Sequence, residues 1–531
     1  MDEAVGTSCD AGDTQQATER TAITRPTAIV SFGSSYTRAV VERALTAAGW
    51  RVLGAPAESE DQPPSLWWAE FTAVHWDAVL AGTTCASTQY LRSGLVRKAD
   101  LLHYMQKHKL GHRFPRTVAA DIEDEEDIEG LLLQWRHAAD LLLREEGYTQ
   151  ESPALWLLKP SRANRGEGIA VLLQDDEPAL RAALNAFPQH KEWLLQRYVV
   201  PLLLPPAPTA PPVELPASPP VVDGLKFHLR WHVLAVGALS VWVHDSPLVL
   251  LSSVPWQCPD TSVVAKREAT SAHRRNAQPA VPCATEEDRM LVHLTNHAQQ
   301  VRSDGYDEAC HTRSLHEAVA PDLAASLQAQ ARAIAADAFA PFARGTAAFF
   351  ALPHCFEIYG FDLAVDTSGR AWLLEVNSGP DLSLHGTRLA HVADKLVGDA
   401  ERVVSAYMYR GCPLRGVAAA MGDAEEEHIA TDDAAAGDAA DRHNSGAIAA
   451  GTNGAAKPPS VGEGIGGFQC VLSRGCDSPR DELDRFKRSM STIGRFAHSL
   501  HEAAGAPVRG VQARAMAAST TSASAEVADV T

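Results

Sequence analysis

The sequence predicts a mixed α/β (α+β) fold assembled from more than one unit, and three patterns carry that reading. A short apolar run, TAIVSFG (Thr27 to Gly33), is followed by the helically spaced SYTRAVVERALTAAG and a second strand, WRVLGA, which together make a βαβ opening. Further on, ALWLLKP and IAVLL read as buried strands joined by the polar, glycine-bearing SRANRGEG. CFEIYGFDLAVD and GRAWLLEVN flank a TSG turn, the pattern of a hairpin.

Size and composition bound the possibilities. A chain of 531 residues allows about three domains or one elaborated enzyme at roughly 100–200 residues per domain. Hydrophobic residues make up 45% and charged residues 21%, enough for a sizeable core in a soluble protein. With 66 acidic and 47 basic side chains the net charge is −19, so no nucleic-acid partner is expected, although a local basic groove stays compatible. Nine cysteines without a CxxC pair fit neither a disulfide framework nor a zinc module, and reduced thiols in a cytoplasmic protein are expected. The polar N-terminus has no apolar core of a signal peptide. The most apolar stretch, His232 to Leu251, is interrupted by His244, Asp245 and Pro247. It reads as two buried strands around a turn and not as a membrane span, which needs about 20 mostly apolar residues; no membrane partner is expected.

The chain divides as follows. Residues 1–26 read as disordered and 27–95 as a small α/β domain. LVRKADLLHYMQKHK, a helix pattern with basic residues along one side, opens a central lobe over 96–200. Within it the acid run Ile122 to Gly130 reads as a solvated surface segment, and EWLLQRYVV as a strand. The proline-rich Pro201 to Pro220 cannot continue a sheet and is expected as a surface insertion over 201–222. Residues 223–415 form the next lobe: β from Lys226 to Trp256, helical from Ala320 to Phe349, then the hairpin and a long closing helix. The Ala/Gly/Ser/Asp/Thr-rich 416–531 reads as a largely disordered tail, with DELDRFKRSMSTIGRFAHSLHEAA as an isolated amphipathic helix.

Four segments carry chemistry. In a strand, residues i and i+2 share a face, so Glu375 and Asn377 project together while Val376 turns to the core, and the short turn brings Asp362 alongside. Two carboxylates and an amide oxygen suit magnesium, which takes hard oxygen ligands and substrate phosphates; the alternative is polar residues that merely end a strand. Lys159 ends a strand before a loop with Gly166 and Gly168, whose N–H groups can cradle phosphates beside the lysine's point charge. Hairpin turns use glycine too, and neither a Walker A loop nor a Rossmann fingerprint is present. In GLKFHLRWHVLAV, Lys226, His228 and Arg230 share one face opposite Phe227 and Leu229, giving either an anion-binding row or a solvated strand face. In LVHLTNHAQQ, Thr295 and Asn296 offer hydrogen-bonding groups beside His293 and His297, which without an HExxH pattern read as packing or capping residues.

These segments, in this order, resemble the tubulin–tyrosine ligase family of ATP-grasp carboxylate–amine ligases. The matching stretches are VRKADLL, WLLKPSRANRGEGIAV, WLLQRYV, KFHLRWHVL, HLTNH and YGFDLAVD with WLLEVNSGP, and the likeness covers residues 27–412. The resemblance implies an ATP-grasp fold holding ATP between two α/β lobes. By position it implies that Lys98 and Lys159 bind phosphate near the Gly166/Gly168 loop, and that Gln196 and the backbone around Val199 form the adenine hinge. Lys226 is implied to reach the phosphates, Thr295 and Asn296 to lie by the sugar and phosphate edge, and Asp362, Glu375 and Asn377 to ligate Mg2+. The implied reaction phosphorylates a peptide carboxylate with ATP and lets the amine of a free amino acid attack the acyl phosphate. Arg230 suits the substrate carboxylate and tetrahedral oxyanion, an effect of about 3–4 kcal/mol in comparable sites.

Two departures mark the chain. The family strand reads KFDxR, and here His228 stands in the acid's place as a nucleotide contact; a basic residue expected on the next strand is His244. EVNSGPDL replaces EVNGAP. The expectation is thus an active ligase that adds an amino acid, tyrosine first, to a protein C-terminal carboxylate such as that of α-tubulin, in the cytoplasm and associated with the cytoskeleton. Lys226, Arg230, Arg97 and Lys98 are expected to build a local positive groove for the acidic acceptor. A glutamate- or glycine-adding enzyme, or an ATP-binding pseudo-ligase or scaffold motivated by the two histidines, are the alternatives.

Overall fold

The computed structural model describes residues 25–54, 63–146, 154–206, 213, 224–256, 286–408 and 459–474. The N-terminal unit contains β1 (Thr27–Ser31), α1 (Ser35–Ala47), β2 (Arg51–Leu53), β3 (Leu66–Ala69) and β4 (Cys85–Ala86) in a parallel sheet of order β2-β1-β3-β4. Ser34 caps α1, its hydroxyl accepting the Thr37 N–H at 3.3 Å. The apolar stripe Val40, Val41 and Leu45 packs into a core shared with the helix Ala390–Tyr407, so this unit is bound to a segment far along the sequence.

The central lobe is an antiparallel sheet of order β5-β8-β6-β7, made of β5 (Thr117–Asp121), β6 (Leu155–Pro160), β7 (Ala170–Leu173) and β8 (Glu192–Arg197). The preceding α2 (Lys98–Lys107) buries Leu101, Leu102 and Met105 in the core of the larger sheet. The helices α3 (Glu125–Glu146) and α4 (Glu177–Ala186) close a separate core around Trp135, Trp156 and Trp193. The acid run is solvent-facing and also starts α3: Asp124 Oδ1 accepts the N–H groups of Glu126 and Asp127 at 2.9 and 3.2 Å. Carboxylates at a helix N-terminus meet the positive end of its dipole.

Among the described residues the third sheet has nine strands, and β10 (Leu225–Val236) is its spine. One edge of β10 pairs with β11 (Ser240–His244) and β12 (Leu248–Pro255); the other pairs with β9 (Leu203–Leu204) and β14 (Phe356–Val365). Beyond these lie β13 (Thr312–Ser314) against β12 and β15 (Ala371–Ser378) against β14. Between β12 and β13 runs α5 (Glu286–His293). Odd-numbered residues of β10, from Phe227 to Ala235, face α6 (Pro321–Phe339); Leu234 and Val236 face α7 (Ala390–Tyr407). The even face is left for Lys226, His228 and Arg230 nearer the start of the strand.

Three expectations change here. The apolar stretch from His232 forms three strands, because Gly237, at φ +58°, and Leu239 turn the chain before β11 and a second turn precedes β12. The proline-rich segment does contribute to the sheet: Leu203 and Leu204 pair with Lys226 and Leu225, and Leu202, Leu204 and Val213 are buried. The paired residues are not prolines and sit at the sheet margin, where proline neighbours are tolerated. The tail, expected to be largely disordered, supplies a hairpin, β16 (Gly464–Ile465) and β17 (Phe468–Ser473), with β17 antiparallel to β11. Its strand alternates, with Phe468 and Cys470 buried against α7, a two-period signal masked by the small-residue composition around it. The candidate helix at 481–504 lies outside the described residues.

Cys85, Cys310, Cys355 and Cys470 are free thiols, and among the described residues no helix is long and apolar enough to cross a membrane. Phe468 is 1% exposed, so Phe468→Ala should lower stability by about 3–5 kcal/mol through the cavity it leaves. A thermal-unfolding midpoint equal to that of the parent would show that the hairpin stands outside the cooperative unit.

Candidate active site

The hairpin β14–β15 sets Asp362 opposite Glu375 and Gly360 opposite Asn377. A bulge follows: Leu363 pairs with Leu373, leaving Leu374 as the extra residue. Asp362 is buried and held from two sides. Arg230 donates to it in a fork, Nε to Oδ1 at 2.5 Å and Nη2 to Oδ2 at 3.1 Å, from the opposed position on β10. The Asn377 amide donates to Asp362 Oδ2 at 3.1 Å and to Glu375 Oε1 at 3.4 Å. Burial pushes Asp362 up, to about 6, against the pull of Arg230. Burial would raise Glu375 as well, but Lys98 and Lys159 hold it well below the usual carboxylate range. One carboxylate on each of two paired strands, with an amide between them, is a hard-donor set that fits Mg2+ completed by phosphate oxygens.

The cations come from the central lobe and its leading helix. Lys98, the first residue of α2, reaches Glu375 Oε2 at 3.0 Å and the Ala163 carbonyl at 2.8 Å, so it joins the glycine loop to the hairpin. Lys159, at the end of β6, donates to Gln196 Oε1 at 2.9 Å and to the Leu374 carbonyl, exposed by the bulge, at 3.3 Å. Burial lowers Lys159 to about 8. Gln196 is itself buried and passes its amide N–H to Thr117 Oγ1 at 2.9 Å, so its side chain supports Lys159. Gly166 and Gly168 have φ of +81° and +68°, and a Cβ at Gly168 would meet Pro160 at 2.8 Å, so the turn needs glycine there. Gln299 Nε2 donates to the Arg165 carbonyl at 2.8 Å, tying this loop to the segment after α5. Val199 lies in the connection from β8 to β9.

The row on β10 completes the wall. Lys226 Nζ donates to the Tyr198 hydroxyl at 3.0 Å and to the His293 carbonyl at 2.6 Å. His228 Nδ1 lies 2.6 Å from Thr295 Oγ1, and its Nε2, 3.8 Å from Asp362 Oδ1, has no hydrogen-bond partner. Burial, with Arg230 nearby, lowers His228 to about 3, so the imidazole is neutral. Asn296 precedes the helical turn His297–Gln300 without capping it through its side chain. His293 and His297 hydrogen-bond to different tyrosines, Tyr198 and Tyr306, at 3.2 and 3.1 Å. The structure thus gathers Lys98, Lys159, Arg230, His228, Asp362, Glu375 and Asn377 into one contact chain, with Lys226 and Thr295 on its margin.

His244 is not among them. Its Nε2 lies 3.2 Å from Asp399 Oδ2 on α7, where Lys395 Nζ (2.7 Å) and the Gly467 N–H (2.8 Å) also converge. It anchors the C-terminal hairpin instead. Two features escaped the sequence reading. Gly360 must be glycine because a Cβ there would lie 2.8 Å from Arg230 Cδ, and a glycine inside a strand is a signal of such close approach. His232 and His385, both buried, stack at 5.4 Å beside the row; nothing local links them in sequence.

Residues 124–408, more than half of the chain, match the model of the Tubulin-tyrosine ligase family. Among relatives, a probable tubulin–tyrosine ligase of Schizosaccharomyces pombe is 25% identical over 369 residues, covering 62% of this chain and 79% of that one. A probable α-tubulin polyglutamylase of Tetrahymena thermophila is 23% identical over 282 residues, 49% of this chain and 56% of that one. Among solved structures, the C-terminal domain of Pby1 of K. lactis, described as an ATP-grasp enzyme interacting with the mRNA decapping enzyme Dcp2, aligns with a TM-score of 0.47 and 20% identity over 72% of this chain and 94% of that one.

The buried histidines give the fold a defined acid sensitivity. Burial lowers His293 and His385 to about 4 each and holds His232 well below its ordinary value. In the unfolded chain each protonates near pH 6.5, so the unfolded state binds more protons and stability falls as pH drops from about 6.5 towards 4. Each should contribute a loss of about 1 kcal/mol by pH 5.5. Denaturant midpoints at pH 7.5 and 5.5 test this; His385→Gln should flatten part of the slope, and a flat parent profile would contradict it.

Proposed function

The chain belongs to the Tubulin-tyrosine ligase family, and on that premise we propose that it is an ATP-dependent carboxylate–amine ligase of the ATP-grasp type. It adds a free amino acid, tyrosine first, to the C-terminal carboxylate of a protein acceptor such as α-tubulin. The supporting observation is the meeting of Lys98 and Lys159, delivered by α2 and the central lobe, with Glu375 of the large sheet, Asp362 and Asn377 standing beside it.

In this reading Asp362, Glu375 and Asn377 hold Mg2+, which when bound neutralises phosphate charge. Lys98 and Lys159, now turned to Glu375 and Leu374, bind the phosphates, with the N–H groups around Gly166 and Gly168 beneath them. The backbone around Gln196 and Val199 takes the adenine, and Thr295, Asn296 and His228 border the sugar. The neutral His228 offers one ring nitrogen, where a carboxylate would accept two hydrogen bonds. Lys226 reaches the phosphates. The acceptor carboxylate attacks the γ-phosphorus and ADP leaves; the amino group then attacks the acyl carbon and phosphate leaves. Arg230, rigid on Asp362, faces the acyl oxygen that gains charge. The site demands little covalent chemistry of the protein, since phosphoryl transfer depends chiefly on position and charge.

A second reading has glutamate or glycine as the amino acid, and the match to a probable polyglutamylase favours glutamate. A third, an ATP-binding pseudo-ligase, rests on His228 in place of the family acid.

The test is incubation with Mg-ATP, tubulin lacking its terminal tyrosine, and labelled tyrosine, glutamate or glycine in turn. Tyrosine incorporation is expected, falling about 100-fold or more in Glu375→Gln through loss of a charged metal ligand. Glutamate or glycine labelling selects the second reading. ATP binding without incorporation of any label selects the third. Full activity in Glu375→Gln removes the metal assignment.

A further inference from the structure

Where the chain leaves the central lobe, the Tyr198 hydroxyl stands at a crossing of four segments. Lys226 Nζ of β10 lies 3.0 Å from it, Trp256 Nε1 at the end of β12 lies 3.1 Å from it, and Nδ1 of His293, the last residue of α5, lies 3.2 Å from it. The lysine and the indole can only donate, so the hydroxyl accepts from both and gives its own proton to His293 Nδ1. Burial and the charge of Lys226 lower His293 to about 4, which leaves that nitrogen able to accept. The hydroxyl therefore accepts twice and donates once, its full capacity. The tyrosine ring is buried, at 3% exposure, and stands perpendicular to the ring of His293 with centroids 5.5 Å apart.

From these contacts we infer that Tyr198 is a positioning residue that aims the Lys226 ammonium at the nucleotide phosphates; the inference rests on the nucleotide-binding reading above. A lysine is a point charge on a flexible four-carbon stem and does not fix its own direction. Here Nζ is fixed by two acceptors, the Tyr198 hydroxyl and the His293 carbonyl at 2.6 Å, and lies 4.4 Å from the tyrosine ring centre. Three N–H donors and two internal acceptors leave one donor for a ligand. The same contacts fasten His293, and with it the Thr295 that holds His228, so the row on β10 is registered from above as well as from within its sheet.

The test compares ATP with adenosine, which lacks the phosphates. Both are measured as competitors of a fluorescent ATP analogue on the full chain. Tyr198→Phe keeps the ring and removes only the hydroxyl. It should weaken ATP about tenfold, the effect of one hydrogen bond to a charged group, and leave adenosine unchanged. In a Lys226→Met background the same change should have no further effect on ATP. Equal weakening of ATP and adenosine would assign Tyr198 a merely structural role. Unchanged ATP affinity, or an undiminished effect in the Lys226→Met background, would also overturn the inference. If the parent chain binds neither compound, the nucleotide reading itself fails and this inference falls with it.

Discussion

The fork between Arg230 and Asp362 lies where β10 and β14 run side by side, and the carboxylate on which it closes is opposed by Glu375 on β15. Three neighbouring strands thus carry plus, minus and minus at one level of a largely apolar sheet. Charges so placed are tolerable only when paired, because an unpaired buried ion loses far more solvation than packing returns. The pairing in turn constrains its neighbours. Gly360 must lack a side chain so that the arginine can cross it, and Asn377 must bridge both acids.

Glu375 lies one strand farther from Arg230, and its countercharge comes from Lys98 at the start of α2, a helix packed against the same sheet. Lys159 enters from the central lobe and meets the carbonyl that the β-bulge turns outward. The junction between lobe and sheet is therefore electrostatic as well as apolar. A polyanionic ligand would exchange one set of partners for another without exposing a bare charge, and low reorganisation of this kind is what a preorganised site supplies.

Much of this was legible because strand periodicity is local. Alternation alone set Glu375 and Asn377 against Val376, and Lys226, His228 and Arg230 against Phe227 and Leu229, and the sheet keeps both divisions. What was not legible depends on partners distant in sequence. Nothing near Lys98 announces Glu375, and nothing near His244 announces Asp399, which withdraws that histidine to α7. Nothing near Gln196 announces that its side chain joins Lys159 to Thr117. Composition misled in two places, at Leu203–Leu204 among prolines and at Phe468–Ser473 among small residues. A few alternating residues in each win a place in the sheet against the bias of their surroundings.

The docking of the C-terminal hairpin has a consequence for how the molecule comes into being. β11 is made long before its outer neighbour β17, which follows only after α7 has been completed. The stripe of α1 likewise waits for α7 before it is covered. A nascent chain on the ribosome would hold the stripe of α1 unsatisfied until α7 had emerged, and the edge of β11 bare until β17 had followed. Such non-local closure slows folding and leaves an adhesive edge open meanwhile. Synthesis of this protein should therefore depend on chaperones that shield a half-finished sheet, and its failures should show as aggregation during production before they show as lost activity.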